Sequence, residues 1–242
     1  MDSVSAPGYL VLMPTRYFTP GLFAFLRELA DNNNRPWFKA NQERYEEQVR
    51  RPALALIEDL AEPLLAISRF FTADPRLVGG SLFRIQRDTR FTRDKAPYKA
   101  HAGIHLRHVA TREDVHAPAF HLHLEPGNCF AALGLWKPAA PRAQAIRTAI
   151  AARPDAWARA TRRPPFAPVY ALGEGDPLRR PPPGFAPDHP LLDDLKRRDF
   201  TASTRLTQAR VTAPGFLDDY AATMRAGAPF LRFLCKALDL AF

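Results

Sequence analysis

The chain has 242 residues, 2 cysteines and a formal charge of +9; it is long enough to bury a core unaided, and two distant thiols, Cys129 and Cys235, suggest no disulfide framework. No run of about 18 apolar residues occurs, and the start, with Asp2 and no basic stretch ahead of an apolar one, does not read as a secretory leader; a cytoplasmic protein without a membrane partner is expected. The charge invites a nucleic-acid reading, but 28 of the 34 basic residues are arginine, in a chain also rich in alanine and proline, a bias that GC-rich codons produce by themselves.

Thr19 is a plausible N-cap and Pro20 suits a first helical turn. Leu22, Phe25, Leu26 and Leu29 follow at i, i+3, i+4 and i+7, which predicts one apolar helical stripe ending at the Asp31–Asn34 run. Asn34 can cap a second helix from near Pro36, with Trp37, Phe38, Tyr45 and Val49 as its apolar side. A third is predicted from Pro52 to about Ile67. After Gly79 and Gly80 the pattern switches: Leu82–Arg87 alternates, Phe83 and Ile85 facing one way and Arg84 and Gln86 the other, as in a half-buried strand.

Ile104 and Leu106 mark a second strand, and Phe120, Leu122 and Leu124 a third. Glu125-Pro126-Gly127-Asn128 places proline and glycine where a type II turn wants them, and Cys129–Trp136 returns as a fourth strand. Residues 164–190 hold nine prolines and three glycines, too many for regular structure. Helices are expected from Pro141 to Ala152, from Asp155, in a turn or two over Leu191–Arg198, and from Thr212 onward with an interruption near Gly227 and Pro229. Phe200–Leu206 reads as a strand. Helices, then strands, then helices predict a single α+β domain over residues 18–242, with a mainly antiparallel sheet and a 17-residue N-terminal extension.

Charge is unevenly spread. Residues 1–75 carry 8 basic and 10 acidic side chains, whereas residues 76–107 carry 8 basic and 2 acidic, a net of +6. Such concentration favours an anion-binding region over a uniformly basic surface. Arg84, Arg87, Arg90, Lys95 and Lys99 are the candidate anion contacts, since arginine grips phosphate or carboxylate bidentately and lysine supplies a point charge. Asp88 and Asp94 are candidate acid/base or metal-binding groups, and Tyr98 a catalytic hydrogen-bond donor. A salt-bridged loop that only braces the fold is the plainer alternative.

His121, His123 and Glu125, at i, i+2 and i+4 of the third strand, share one face. With Glu125 paired to Asn128, His121 falls opposite Ala132 and His123 opposite Phe130. Two histidines and a carboxylate resemble a metal-binding set, but no fourth ligand is placed by the sequence and no metal is assigned; His123 is kept as a ligand contact. His101, His105 and His116 stand alone and read as structural. No phosphate-binding Walker loop, His-Glu-x-x-His motif or paired-cysteine motif occurs.

Two long signatures remain: Asn32-Asn33-Asn34-Arg35-Pro36-Trp37-Phe38, and Arg84-Ile85-x-Arg87-Asp88-Thr89-Arg90-Phe91 continuing to Asp94-Lys95-x-Pro97-Tyr98-Lys99. With His123-Leu124-Glu125-Pro126-Gly127, Gly134-x-Trp136-x-Pro138 and Phe230-Leu231-Arg232-Phe233-Leu234, the chain from about Phe18 to Phe242 resembles the bacterial and fungal family known as domain of unknown function 2461. The resemblance implies that the Arg84–Lys99 signature is a family feature, and it supplies no substrate, cofactor or catalytic residue. At His121 the family commonly carries an aromatic residue, which weighs against a metal there. Enzymatic activity is left open. The leading expectation is a protein that binds or processes a small phosphate-bearing or otherwise anionic ligand. The rivals are a nucleic-acid binder, ranked second as a partner, and a protein-interaction module.

Overall fold

The computed structural model describes residues 15–90, 92–111, 114 and 116–242; Phe91, within the arginine–lysine signature, lies outside them. Tyr17 and Phe18 are already buried where the chain enters α1 (Pro20–Asp31). The Thr19 hydroxyl accepts from the Gly21 amide at 3.2 Å, and Leu22, Phe25, Leu26 and Leu29 form the buried stripe. The Asn34 side chain accepts from the Trp37 amide at 3.0 Å and opens α2 (Arg35–Ala40). Then come α3 (Gln42–Tyr45), a π-helical turn (Glu46–Arg50), α4 (Arg51–Asp59) and α5 (Ala61–Ile67). The single helix expected over Pro52–Ile67 is thus two, joined at Leu60. Pro63 explains the break: it has no N–H for the Asp59 carbonyl, and it is tolerated because it falls in the first turn of the new helix.

Among the described residues six strands form one sheet in the order β1-β2-β3-β4-β6-β5, every pair antiparallel. They are β1 (Phe71–Thr72), β2 (Ala102–His108), β3 (Ala119–Leu124), β4 (Cys129–Leu135), β5 (Ala171–Leu172) and β6 (Phe200–Leu206). Of these, β1 and β5 are two residues long, too short for a sequence period to reveal. Between β4 and β6 lie α6 (Ala140–Ala152), α7 (Pro154–Arg162) and α8 (Leu192–Leu195); α9 (Gln208–Val211) and α10 (Phe216–Ala237) follow β6. The fold is α+β, as the order of elements predicts.

One sheet face is apolar. Ile104, Leu106, Phe120, Leu122, Leu124, Ala131, Leu133 and Ala202 are all buried on it. Helix α10 crosses this face, and Gly227 comes so close that a Cβ there would meet the Leu133 methyls at 2.8 and 2.9 Å. That packing also corrects the expected interruption of α10. Pro229 removes one backbone hydrogen bond, yet Gly227, Ala228, Phe230 and Leu231 are all buried and the helix runs through. Its start differs too, because Thr212 closes α9 and the left-handed Gly215 precedes α10.

Candidate functional site

The opposite sheet face is polar and aromatic. The β2–β3 register pairs Gly103 with His123 and His105 with His121, and the β3–β4 register pairs His121 with Ala132 and His123 with Phe130. The second pairing is the one the turn sequence predicts. Gly127 sits at φ 78°, the left-handed conformation of a type II turn, and the Asn128 amide donates to the Glu125 carbonyl at 3.1 Å.

Leu82–Arg87 is an irregular hairpin arm and not a regular strand. Phe83 N–H donates to the Gly103 carbonyl at 2.9 Å, Lys99 N–H to Ile85 at 2.8 Å and Arg87 N–H to Pro97 at 2.9 Å, with isolated bridges at Leu82–Ile104 and Gln86–Tyr98. Pro97 can accept but not donate, so the ladder cannot close into a regular strand. The alternation survives in burial: Ile85 is buried and Phe83 half-buried, while Arg84 and Gln86 are exposed. Phe83 lies across the polar face, stacked on His105 with ring centres 5.3 Å apart. It reaches the sheet because residue 103 is glycine; a Cβ there would come within 3.0 Å of the Phe83 ring.

The hairpin is docked on the first helices. Asn33 receives the Tyr98 amide and donates to the Tyr98 carbonyl, both at 3.0 Å, and the Tyr98 ring stacks on Phe38 at 4.1 Å. Within the hairpin tip, Asp88 pairs with Arg90 at 2.7 Å and Asp94 pairs with Arg87. Lys95 Nζ donates to the Thr89 carbonyl at 2.9 Å, and Lys99 Nζ to the Arg84 carbonyl at 2.8 Å. Hydrogen bonds from the Arg90 side chain and amide hold Asp88 at about 2. Asp94 is lowered by the Ala96 amide and then by Arg87. Carboxylates held so low are weak bases at neutral pH. Half-burial lowers Lys99, with the charge of Arg84 adding to it.

Beside this hairpin lies a constellation that the sequence only half discloses. Donor atoms of His101, His123 and Glu125 all lie within 4.8 Å of one another. His123 Nε2 is 3.1 Å from Glu125 Oε2, which also accepts from the Asn128 amide group at 2.8 Å. The His123 ring stacks on Phe130 at 4.6 Å, and the His101 ring centre is 4.5 Å from that of His123. Burial depresses His101 to about 4, helped by His123, with Lys99 and Arg87 adding to the shift. Burial raises Glu125, but the hydrogen bonds from Asn128 and His123 outweigh it and leave the carboxyl below its ordinary range.

His121, which the strand period groups with His123 and Glu125, instead tilts against Phe83 and Phe130 at 5.9 and 6.1 Å, in the manner of an aromatic side chain. His101 takes the place expected for it. The signal was in the strand period: His101, Gly103 and His105 alternate along β2 and the residue before it, as His121, His123 and Glu125 do along β3 and the residue after it. Only the register between the two strands was missing.

The family model described as a conserved hypothetical protein (DUF2461) matches residues 21–233. The chain belongs to this family. Among curated proteins no relative matches it. In DUF2461 terms, the two long signatures are one structural unit here, since Asn33 of the first holds Tyr98 of the second through both backbone groups.

Proposed function

We propose that this protein binds or processes a small phosphate-bearing or otherwise anionic molecule where the basic hairpin meets the polar sheet face. The observation that carries the reading is the nearness of a hairpin cation to the histidine face: Lys99 Nζ lies 5.3 Å from the centre of the Phe83 ring, which itself stacks on His105. Arg87 and Lys99 are the anion contacts nearest the histidine cluster, and the exposed Arg84, Arg90 and Lys95 draw the ligand toward it. His123 contacts the ligand. Asp88 and Asp94 orient the guanidinium groups of Arg90 and Arg87, and Tyr98 anchors the hairpin with its hydroxyl as a donor. Five cations against two carboxylates leave a surplus of three positive charges on one hairpin, which an anionic ligand would offset.

The test is calorimetric titration with inorganic phosphate and pyrophosphate. Arg87→Gln combined with Lys99→Gln should weaken binding at least tenfold, as loss of charge-assisted contacts implies, while the circular dichroism spectrum is retained. A double variant that unfolds would assign the hairpin a bracing role, and unchanged affinity would place the anion elsewhere. Submicromolar binding of a defined oligonucleotide, with a steep salt slope, would favour the nucleic-acid reading.

A further inference from the structure

We propose that His101, His123 and Glu125 form a binding site for one divalent first-row transition-metal ion of the zinc class, with its open coordination positions turned to the anionic ligand. The set is made by strand register. Gly103 pairs with His123 and the ladder ends at Ala102–Leu124, so His101 and Glu125 are the next residues out at that end, on the face that already carries His123. Two imidazoles and a carboxylate suit zinc, iron, cobalt or nickel; magnesium and calcium prefer all-oxygen sets, and soft copper(I) prefers sulfur. The nearest thiol, Cys129, donates instead to the Glu125 backbone carbonyl at 3.2 Å.

The His123–Glu125 distance fits one ion, and His101, within 4.8 Å, completes the set by a ring movement toward it. Ligands about 2.1 Å from a common metal and about 90–109° apart are separated by roughly 3.0–3.4 Å. His123 Nε2 and Glu125 Oε2 are 3.1 Å apart, and the whole donor set lies within 4.8 Å. An ordinary histidine–carboxylate pair would account for His123 and Glu125 alone; it does not account for a second imidazole within the same reach. The surroundings are those of a fixed ligand set. Phe130 holds the His123 ring at an interplanar angle of 12°, and the Asn128 amide group fixes Glu125. Neither supporting side chain is ionisable.

Three protein ligands leave at least one position for water or a ligand oxygen. Two neutral imidazoles, one carboxylate and a divalent ion carry a net single positive charge, and Arg87 and Lys99 add to it. An anion would complete the shell. The metal reading rests on the proposed anion site only for what fills that open position; metal affinity belongs to His101, His123 and Glu125 by themselves.

The experiment uses tag-free protein, stripped with chelator and titrated with Co²⁺. We expect one equivalent to bind, with visible d–d absorption that Zn²⁺ displaces. His101→Asn and Glu125→Gln should each weaken Co²⁺ binding at least about tenfold, at or beyond the loss typical of a supporting residue. Arg87→Gln with Lys99→Gln should keep the metal while losing phosphate, so failure of one reading is distinguishable from failure of the other. Absence of a stoichiometric Co²⁺ complex, or unchanged affinity in His101→Asn and Glu125→Gln, overturns the site. Should those variants misfold, wild-type protein still decides. Hyperfine-shifted ring resonances must come from His101 and His123 and not from His116 or His189, and any other assignment refutes the proposal.

Discussion

His105 shows how much a single side chain on the polar face is asked to do. It lies between Phe83 on the hairpin and His121 on β3, with Arg107 two residues on, and neither ring nitrogen has a hydrogen-bond partner among the described residues. Burial, with Arg107 adding to it, holds its proton affinity down at about 4. The folded value therefore lies below the ordinary one near 6.5. Stability from a neutral His105 is fully present above about pH 6.5 and is lost as pH falls toward 4, because the unfolded chain takes up the proton first. One histidine contributes at most about 1.4 kcal/mol per pH unit to that slope. Denaturant unfolding between pH 4 and 7 should show the decline, and His105→Phe should make it shallower and leave the protein more stable at pH 5. Identical slopes in the two proteins would show that His105 does not set the acid limit.

At the scale of elements, the hairpin depends on one asparagine. Asn33 both donates to and accepts from the Tyr98 backbone, and removing such a partner from part-buried groups costs about 1–3 kcal/mol. Asn33→Ala should lower the urea midpoint by a corresponding amount and loosen protection of the Tyr98 and Lys99 amides in hydrogen exchange. Unchanged exchange there would mean that Phe38 stacking alone holds the hairpin. Much of this layer was legible in the sequence. Thr19 and Asn34 announce their helices because capping is local, and Phe200–Leu206 and the Pro126–Gly127 turn announce theirs by period and turn chemistry. The division of Pro52–Ile67, the continuity of α10 through Pro229 and the irregular arm at Leu82–Arg87 were not legible. Each depends on what packs or pairs against the segment: a proline set at a new helix start, Leu133 beneath Gly227, and Pro97 opposite Arg87.

Across the whole molecule the sheet divides the labour. Its apolar face carries α10 and the core, while its polar face gathers His101, His105, His121 and His123 under the hairpin. Both cysteines are free and buried, and among the described residues no helix is long and apolar enough to cross a membrane. Segment charge found the hairpin because its cations are consecutive in the chain. It could not find a second basic surface, the groove between α7 and α10 lined by Arg153, Arg159, Arg232 and Lys236, because those residues come from two distant segments. That groove is the natural competitor for any anion. The proposal that anions bind at the hairpin is therefore tested most directly by an amide NMR titration of the full chain with pyrophosphate. Shifts should concentrate at residues 84–101 and 121–125 and saturate with a single affinity. Shifts centred on residues 152–160 and 229–236, or spread evenly over exposed arginines, would contradict it.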